Sequence, residues 1–459
     1  MPIRATISLA VLAALVALVG CTERGPFAAP TLEPLETRVG SEWIRDRRGR
    51  VVILRGATYT VTEDGLESSL MGGAVDLTLA GMERLGMNLI RLPLSWALIE
   101  PKPGQRTTEY LWMRVNPIVR MAAARGLAVV FSMRPWPRGA CDGSDPTIPN
   151  WVCDSIPSED DPSCAFWRSR GPDKIPLRTH YAATWEVVAR HYAQDARILG
   201  FDVLEEPSAG NCFPAATFES QHLRPYAEEL QKKIASAGAL GALLYEPPVH
   251  IEARIEGQAP FETPAIYSPH IWTERLGPPH SGDGNPLSHS YDRATEAADR
   301  ARAPLFVGAF GSDLPPTSAG GFPVTSPAMV LLSLDLLDQH LAGGAFYALR
   351  PRGADSPAAD LGPVEALLSR PYARRIAGIP TSMSFNARTL EFSLRFEDDP
   401  EHSPPDPTEI FLSSALYDEG FVVGLGPDDT WTYDEPTQRL LVYRGSSATH
   451  EVRVHPSAD

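Results

Sequence analysis

Basic charge, cysteine and long apolar runs are all scarce in this chain, and each scarcity closes off a class of function. Lys and Arg number 41 against 57 Asp and Glu, a formal charge of -16 over 459 residues. A surface that acidic repels phosphate backbones unless a local basic patch intervenes, and the sequence carries none, so nucleic acid is not an expected partner. The five cysteines are Cys21, Cys141, Cys153, Cys164 and Cys212, with no CxxC or HxxxH spacing to suggest a metal site. The apolar run Leu9–Val19 falls short of the ~20 residues that a membrane-spanning helix needs. What is present, 43% hydrophobic and 21% charged residues, is the balance of a globular protein that buries a core.

The short apolar run has the length of a signal-peptide core. Arg4 precedes it and Leu18-Val19-Gly20-Cys21 closes it, an ending that resembles the lipobox of bacterial lipoproteins. The expectation is a signal peptide over residues 1–20, acylation of Cys21, and a Pro-rich tether over 21–40 that holds an exported protein to a membrane of the cell envelope. Cys141, Cys153, Cys164 and Cys212 then remain, an even number in a compartment that permits oxidation. Most of them fall in or beside the Pro-, Asp- and Ser-rich segment Gly139–Ser163, which has little core of its own; two disulfides are expected, with the pairing left open.

Beyond the tether, eight short apolar runs recur: Val51–Ala57, Asn88–Leu94, Ala128–Arg134, Leu199–Glu206, Ala242–Glu246, Ala265–His270, Leu305–Gly311 and Ala345–Leu349. Near-continuous apolar character is what a strand covered on both faces requires. Most runs are separated by helical periodicity, as where Tyr181, Trp185, Val188 and Tyr192 line one face. The pattern predicts a (β/α)8 TIM barrel over residues 41–371. After Pro371 the period drops to two, with Leu390, Phe392, Leu394 and Phe396 alternating with polar residues, and predicts a small C-terminal antiparallel β-sandwich over 372–459.

Barrel chemistry sits at the C-terminal ends of strands. Those ends carry Arg91, Arg134 and Trp136, the pair Glu205-Glu206 followed by Pro207, His270 and Trp272, Ala309, and Tyr347. An acid at a strand end among aromatics suits glycosidic cleavage, in which a carboxyl protonates the leaving oxygen while rings stack on the sugar. Trp96, Trp136, Trp272 and Tyr347 are either such a platform or core packing.

The motifs then become specific. Gly86-Met87-Asn88-Leu89-Ile90-Arg91-Leu92, Glu100-Pro101-Lys102-Pro103-Gly104, Leu204-Glu205-Glu206-Pro207, Tyr267-Ser268-Pro269-His270 and Trp431-Thr432-Tyr433-Asp434 together resemble glycoside hydrolase family 5, and within it the endoglycoceramidases. The resemblance implies Glu206 as general acid/base, Arg91 supporting the nucleophile, and His270 close to the reacting sugar. It also exposes a vacancy: the family's Val-Gly-Glu-Phe-Gly on strand seven reads Val307-Gly308-Ala309-Phe310-Gly311, so the nucleophile position is Ala309. A retaining mechanism needs a second carboxyl to attack the anomeric carbon, and a methyl group cannot.

Neighbouring positions depart as well. Glu205 stands where the family has an Asn for the sugar 2-hydroxyl, Arg134 interrupts the strand-three motif, and Ala348 replaces a Trp. The resemblance therefore implies a glycan- or glycolipid-binding protein of the envelope whose hydrolysis is strongly reduced or lost. Two alternatives stand beside it: an active glycosidase with another carboxylate as base, among Glu205, Glu274 and Asp313, and a structural protein keeping only the fold. This chemistry runs on carboxyls and water, so no cofactor and no metal is expected.

Overall fold

The structure, a computed structural model, describes residues 34–59, 74–136, 147–157, 161–248, 260–272, 285–311, 327–349, 363–402 and 404–457. Cys21, Cys141, Glu274 and Asp313, together with the expected signal peptide and most of the tether, lie outside the described residues.

Three short strands come first: β1 (Leu35–Glu36), β2 (Arg45–Asp46) and β3 (Val51–Val52). The barrel strands follow as β4 (Arg55–Tyr59), β5 (Leu89–Pro93), β6 (Ala128–Ser132), β7 (Ile198–Asp202), β8 (Ala242–Tyr245), β9 (Ala265–Tyr267), β10 (His270–Trp272), β11 (Phe306–Gly311) and β12 (Gly343–Leu349). All pair in parallel, in the order β10-β11-β12-β4-β5-β6-β7-β8-β9. The two ends of that order are halves of one strand, broken at Ser268-Pro269, where proline has no N–H for the ladder. Tyr267 also bridges Leu305, so the sheet closes into an eight-strand barrel.

Burial follows the pleat. Leu54, Leu89, Val130, Leu244, Ile266 and Phe306 form one apolar cluster inside the barrel floor. Their strand neighbours turn outward against amphipathic helices such as Ala74–Arg84, Leu177–His191, Arg224–Ser236 and Pro286–Ala301. Tyr181 and Trp185 are fully buried in that outer layer, as their helical spacing predicts.

After residue 371 the chain forms β13 (Tyr372–Ile376), β14 (Ile379–Asn386), β15 (Glu391–Glu397), β16 (Thr408–Phe411), β17 (Phe421–Leu425), β18 (Thr430–Asp434), β19 (Arg439–Tyr443) and β20 (Thr449–Pro456). A sheet ordered β14-β15-β20-β17 faces a second, β1-β2-β3-β13-β16-β19-β18, over a core that includes Phe392, Leu394, Phe396 and Ile410. The run Val51–Ala57 thus divides between two units. Val51 and Val52 pair antiparallel with Ile376 and Arg375 of the sandwich, and only Arg55 onward enters the barrel. An apolar run satisfies either sheet, and nothing in its composition marks where the chain changes partner.

The sandwich docks at the starts of the barrel strands. The Gly86 carbonyl, before β5, accepts from Tyr372 Oη at 2.7 Å and from Arg374 at 2.8 Å. Gly86 itself has φ 74°, and a Cβ there would lie 2.4 Å from the Phe411 ring, so the close approach requires glycine. Asp338, at the end of the helix leading to β12, pairs with both Arg55 and Arg370. The opposite, C-terminal end of the barrel is left to the site.

Candidate active site

Two inward side chains, on the strands that flank β6, begin the site. Arg91 on β5 is fully buried and donates through Nε and Nη2 to Asp202 Oδ2 of β7, at 3.1 and 2.6 Å. Just beyond the ends of their strands, Glu205 and Glu206 follow β7 and Glu246 follows β8, and His270 opens β10. Arg91 Nη2 also lies 3.6 Å from Glu205. Burial works against the Arg91 charge, but Glu205, Asp202 and Glu246 outweigh it and hold the guanidinium protonated well above its usual range.

Glu206 is the centre of a second set of contacts. Its backbone is left-handed, φ 51°, a conformation that costs free energy in a non-glycine residue and that concentrates at functional sites. Its N–H donates to Glu246 Oε2. Its Oε1 accepts from the Trp272 indole at 2.8 Å, and its Oε2 accepts from Arg134 at 3.2 Å. Arg134 also donates to Glu205 at 3.1 Å, so one guanidinium ties the two adjacent carboxylates. His270 Nδ1 lies 3.5 Å from Glu206 Oε1, and its Nε2 faces Glu246 in an ion-pair contact.

The buried groups titrate accordingly. Glu246 is pushed up to about 7, chiefly by burial and further by Asp202, with His270 and Arg91 opposing. His270 is pushed up to about 9: burial alone would lower it, but the Glu246 charge and its contacts with Glu206 and Glu246 prevail. Burial also raises Asp202, against the pull of Arg91.

The structure separates the expected aromatics. Trp96 is fully buried and its indole donates to Glu100 at 3.0 Å; Trp136 is buried with its ring edge-on to Phe166 at 5.5 Å. Both pack the core between barrel and helices. Trp272 and the half-buried Tyr347 meet edge-on at 5.1 Å beside Glu206. Ala309, buried on β11, is in register with His270, at an irregularity in the β11–β12 pairing between Val307 and Phe310.

Sequence reasoning did not single out Glu246 or Asp202. Glu246 carried a usable signal, because it ends an apolar run and is followed by Pro247, the same pattern as Glu206-Pro207. The cysteines also differ from expectation. Cys153 is disulfide-bonded, its partner lying outside the described residues, whereas Cys164 and Cys212 are free thiols. Cys212 instead donates to the Ala209 carbonyl at 3.2 Å, and burial with the adjacent Cys164 pushes it up to about 12, so the thiol form is favoured.

The arrangement constrains the chemistry. A general acid must carry a proton to the leaving oxygen, but both Glu206 oxygens already accept hydrogen bonds, from the Trp272 indole and from the Arg134 guanidinium, and a guanidinium pairs with the ionised carboxylate. No side chain at position 309 can attack a sugar.

Comparison with known proteins places this geometry. The family described as Cellulase (glycosyl hydrolase family 5) matches residues 58–343, and the Glycoside hydrolase family 5 C-terminal domain matches residues 370–455. Endoglycoceramidase I of Rhodococcus hoagii (strain 103S) is 25% identical over 418 residues, spanning 82% of this chain and 80% of that protein. Among solved structures, endo-glycoceramidase II from Rhodococcus sp. shares the fold at a TM-score of 0.67 and 22% identity, covering 91% of this chain and 100% of the other. Sterylglucosidase 1 of Cryptococcus neoformans does so at 0.68 and 12%, covering 92% and 96%. With one family matched across the barrel and its companion across the sandwich, the chain belongs to glycoside hydrolase family 5.

Proposed function

We propose that this protein binds a β-linked glycan or glycolipid in the barrel mouth, in the manner of an endoglycoceramidase, and hydrolyses it very slowly or not at all. The observation that carries the reading is the pairing of Ala309, where the family's attacking carboxylate would stand, with a Glu206 whose two oxygens are held by Trp272 and Arg134. Losing a covalent nucleophile removes several powers of ten in rate, each worth about 1.4 kcal/mol of barrier. The Trp272–Tyr347 pair beside Glu206 supplies the aromatic surface for a sugar. The choice of ligand is supported by the relative named endoglycoceramidase I and by a solved endo-glycoceramidase II bound to ganglioside GM3.

A second reading, a working glycosidase with a different base, is favoured by one observation: Glu246 is buried beside Glu206 and titrates near neutrality. Incubation with fluorogenic glycolipids and aryl glycosides separates the two. We expect saturable binding without turnover; rapid turnover through an isolable glycosyl–protein adduct would sink the first reading, and turnover abolished by Glu246→Gln would establish the second.

The same proposal includes export and acylation at Cys21, on the strength of the Leu18-Val19-Gly20-Cys21 ending. Metabolic labelling with a fatty acid should mark the unaltered chain and leave Cys21→Ser unlabelled; equal labelling of both would remove the anchor.

A further inference from the structure

We propose that Asp202, Glu246 and His270 form a binding site for one first-row divalent cation, of the Zn2+ or Mn2+ class, at the floor of the barrel mouth. Each residue offers a donor atom, and the three atoms lie within 4.8 Å of one another. The ligand atoms of one tetrahedral ion stand about 3.4 Å apart, so side-chain rotations close the site.

The stronger argument is how each ligand is held. Arg91 occupies Asp202 Oδ2 and leaves Oδ1 without a hydrogen bond. The Glu206 N–H occupies Glu246 Oε2 and leaves Oε1 facing, among the described residues, only the His270 imidazole. His270 turns Nδ1 toward Glu206 and Nε2 toward Glu246, and neither nitrogen makes a well-formed hydrogen bond. One atom of each carboxylate is thus oriented by a neighbour outside the set, while the other is buried and turned to the set itself. Among the described residues Asp202 Oδ1 is without a partner and Glu246 Oε1 meets only His270, the outer-shell pattern of a metal ligand set. Buried polar atoms left in that state are costly unless something meets them.

Charge leads to the same conclusion. Among the described residues the pocket holds four carboxylates, Asp202, Glu205, Glu206 and Glu246, against two guanidiniums, Arg91 and Arg134, all with side chains no more than 10% exposed. With His270 neutral, as a metal ligand must be, the difference is two negative charges, which one divalent ion balances, and binding displaces the proton that His270 holds in the ion-free chain. One imidazole with two carboxylates suits Zn2+ or Mn2+; Ca2+, which takes six to eight oxygens, is poorly served by three protein donors. Three protein ligands also leave coordination positions for water or a sugar hydroxyl, next to the strand position of Ala309.

The test uses the full chain stripped with a chelator and titrated calorimetrically with Zn2+, Mn2+ or Ca2+, alone and in a Cys164→Ser/Cys212→Ser background that removes the free thiols. We expect one equivalent of Zn2+ or Mn2+, no comparable Ca2+ binding, a rise in Tm with the ion, and affinity weakened at least about tenfold by Glu246→Gln. Should Glu246→Gln fail to fold, the visible spectrum of the Co2+-loaded unaltered chain reports whether an imidazole–carboxylate site of low symmetry is present. No ion bound by the unaltered chain overturns the proposal, as does one equivalent retained undiminished by both Glu246→Gln and Asp202→Asn.

Discussion

Two buried ionic clusters in this molecule use the same side-chain types to opposite effect. At the mouth, acids outnumber guanidiniums and carboxylate oxygens are left over. On the sandwich sheet, Asp46 and Glu409 are surrounded by Arg50, Arg375 and Arg439, and every one of their carboxylate oxygens accepts: Asp46 from Arg48 N, Arg50 N and Arg50 Nε, and Glu409 from Arg50 and Arg375, each at 3.0 Å or less. Accordingly Glu409 is held below its usual range by Arg375 and Arg50 in spite of its burial, while Glu246 is driven above it. A cluster with its valences filled fastens two segments together; one with valences open is waiting for a partner.

The largest test of that contrast is catalytic. Ala309→Glu combined with Arg134→His restores an attacking carboxylate and releases Glu206, and should raise turnover of an aryl β-glycoside by at least about a hundredfold over the unaltered chain. Ala309→Glu alone should gain much less, because Arg134 still holds Glu206; equal rates for single and double variants would break the argument about the guanidinium.

Next in size comes stability. Glu409→Ala removes the carboxylate shared by Arg50 and Arg375, leaves Asp46 alone between them, and should cost about 3–5 kcal/mol by urea unfolding. Glu246→Gln in the metal-free chain removes surplus negative charge and should cost less than about 1 kcal/mol. Reversal of that ranking would erase the distinction between the clusters.

The pH dependence should split the same way. His270 and Glu246 have folded values of about 9 and about 7, above the ordinary 6.5 and 4.5, so the folded chain binds their protons more tightly than the unfolded one. Their contribution to stability is full at low pH and is lost as pH rises through those values. With chelator present, Tm should therefore fall between about pH 4.5 and about pH 9. Glu409 is shifted downward, so its contribution is present above its ordinary value and lost only on acidification. The smallest effect is expected at an exposed cluster: Glu451→Gln, which loosens the contacts to Arg395 and Arg453, should leave the urea midpoint unchanged within error.

Much of this molecule was legible because strands and helices announce themselves by period. The barrel runs, the Tyr181–Trp185 face and the alternating Phe392-Leu394-Phe396 strand all stand where their spacing puts them. The site was legible only where a motif preserved it. Arg91 meets Asp202 and Glu205, and His270 faces Glu206 and Glu246, but Arg134 looked like a lost residue and is in fact the bridge between two carboxylates. That role depends on reach across strands, which no local spacing encodes. The split of Val51–Ala57 escaped for a similar reason: hydrogen-bond partners are set by tertiary register, not by apolar character.

The pairing of β3 with β13 has a mechanical consequence. Any tension applied through the leading end of the chain, as by an anchor at Cys21, enters the sandwich through the β1–β2–β3 ladder and is borne in shear along the Val51–Ile376 and Val52–Arg375 pairs.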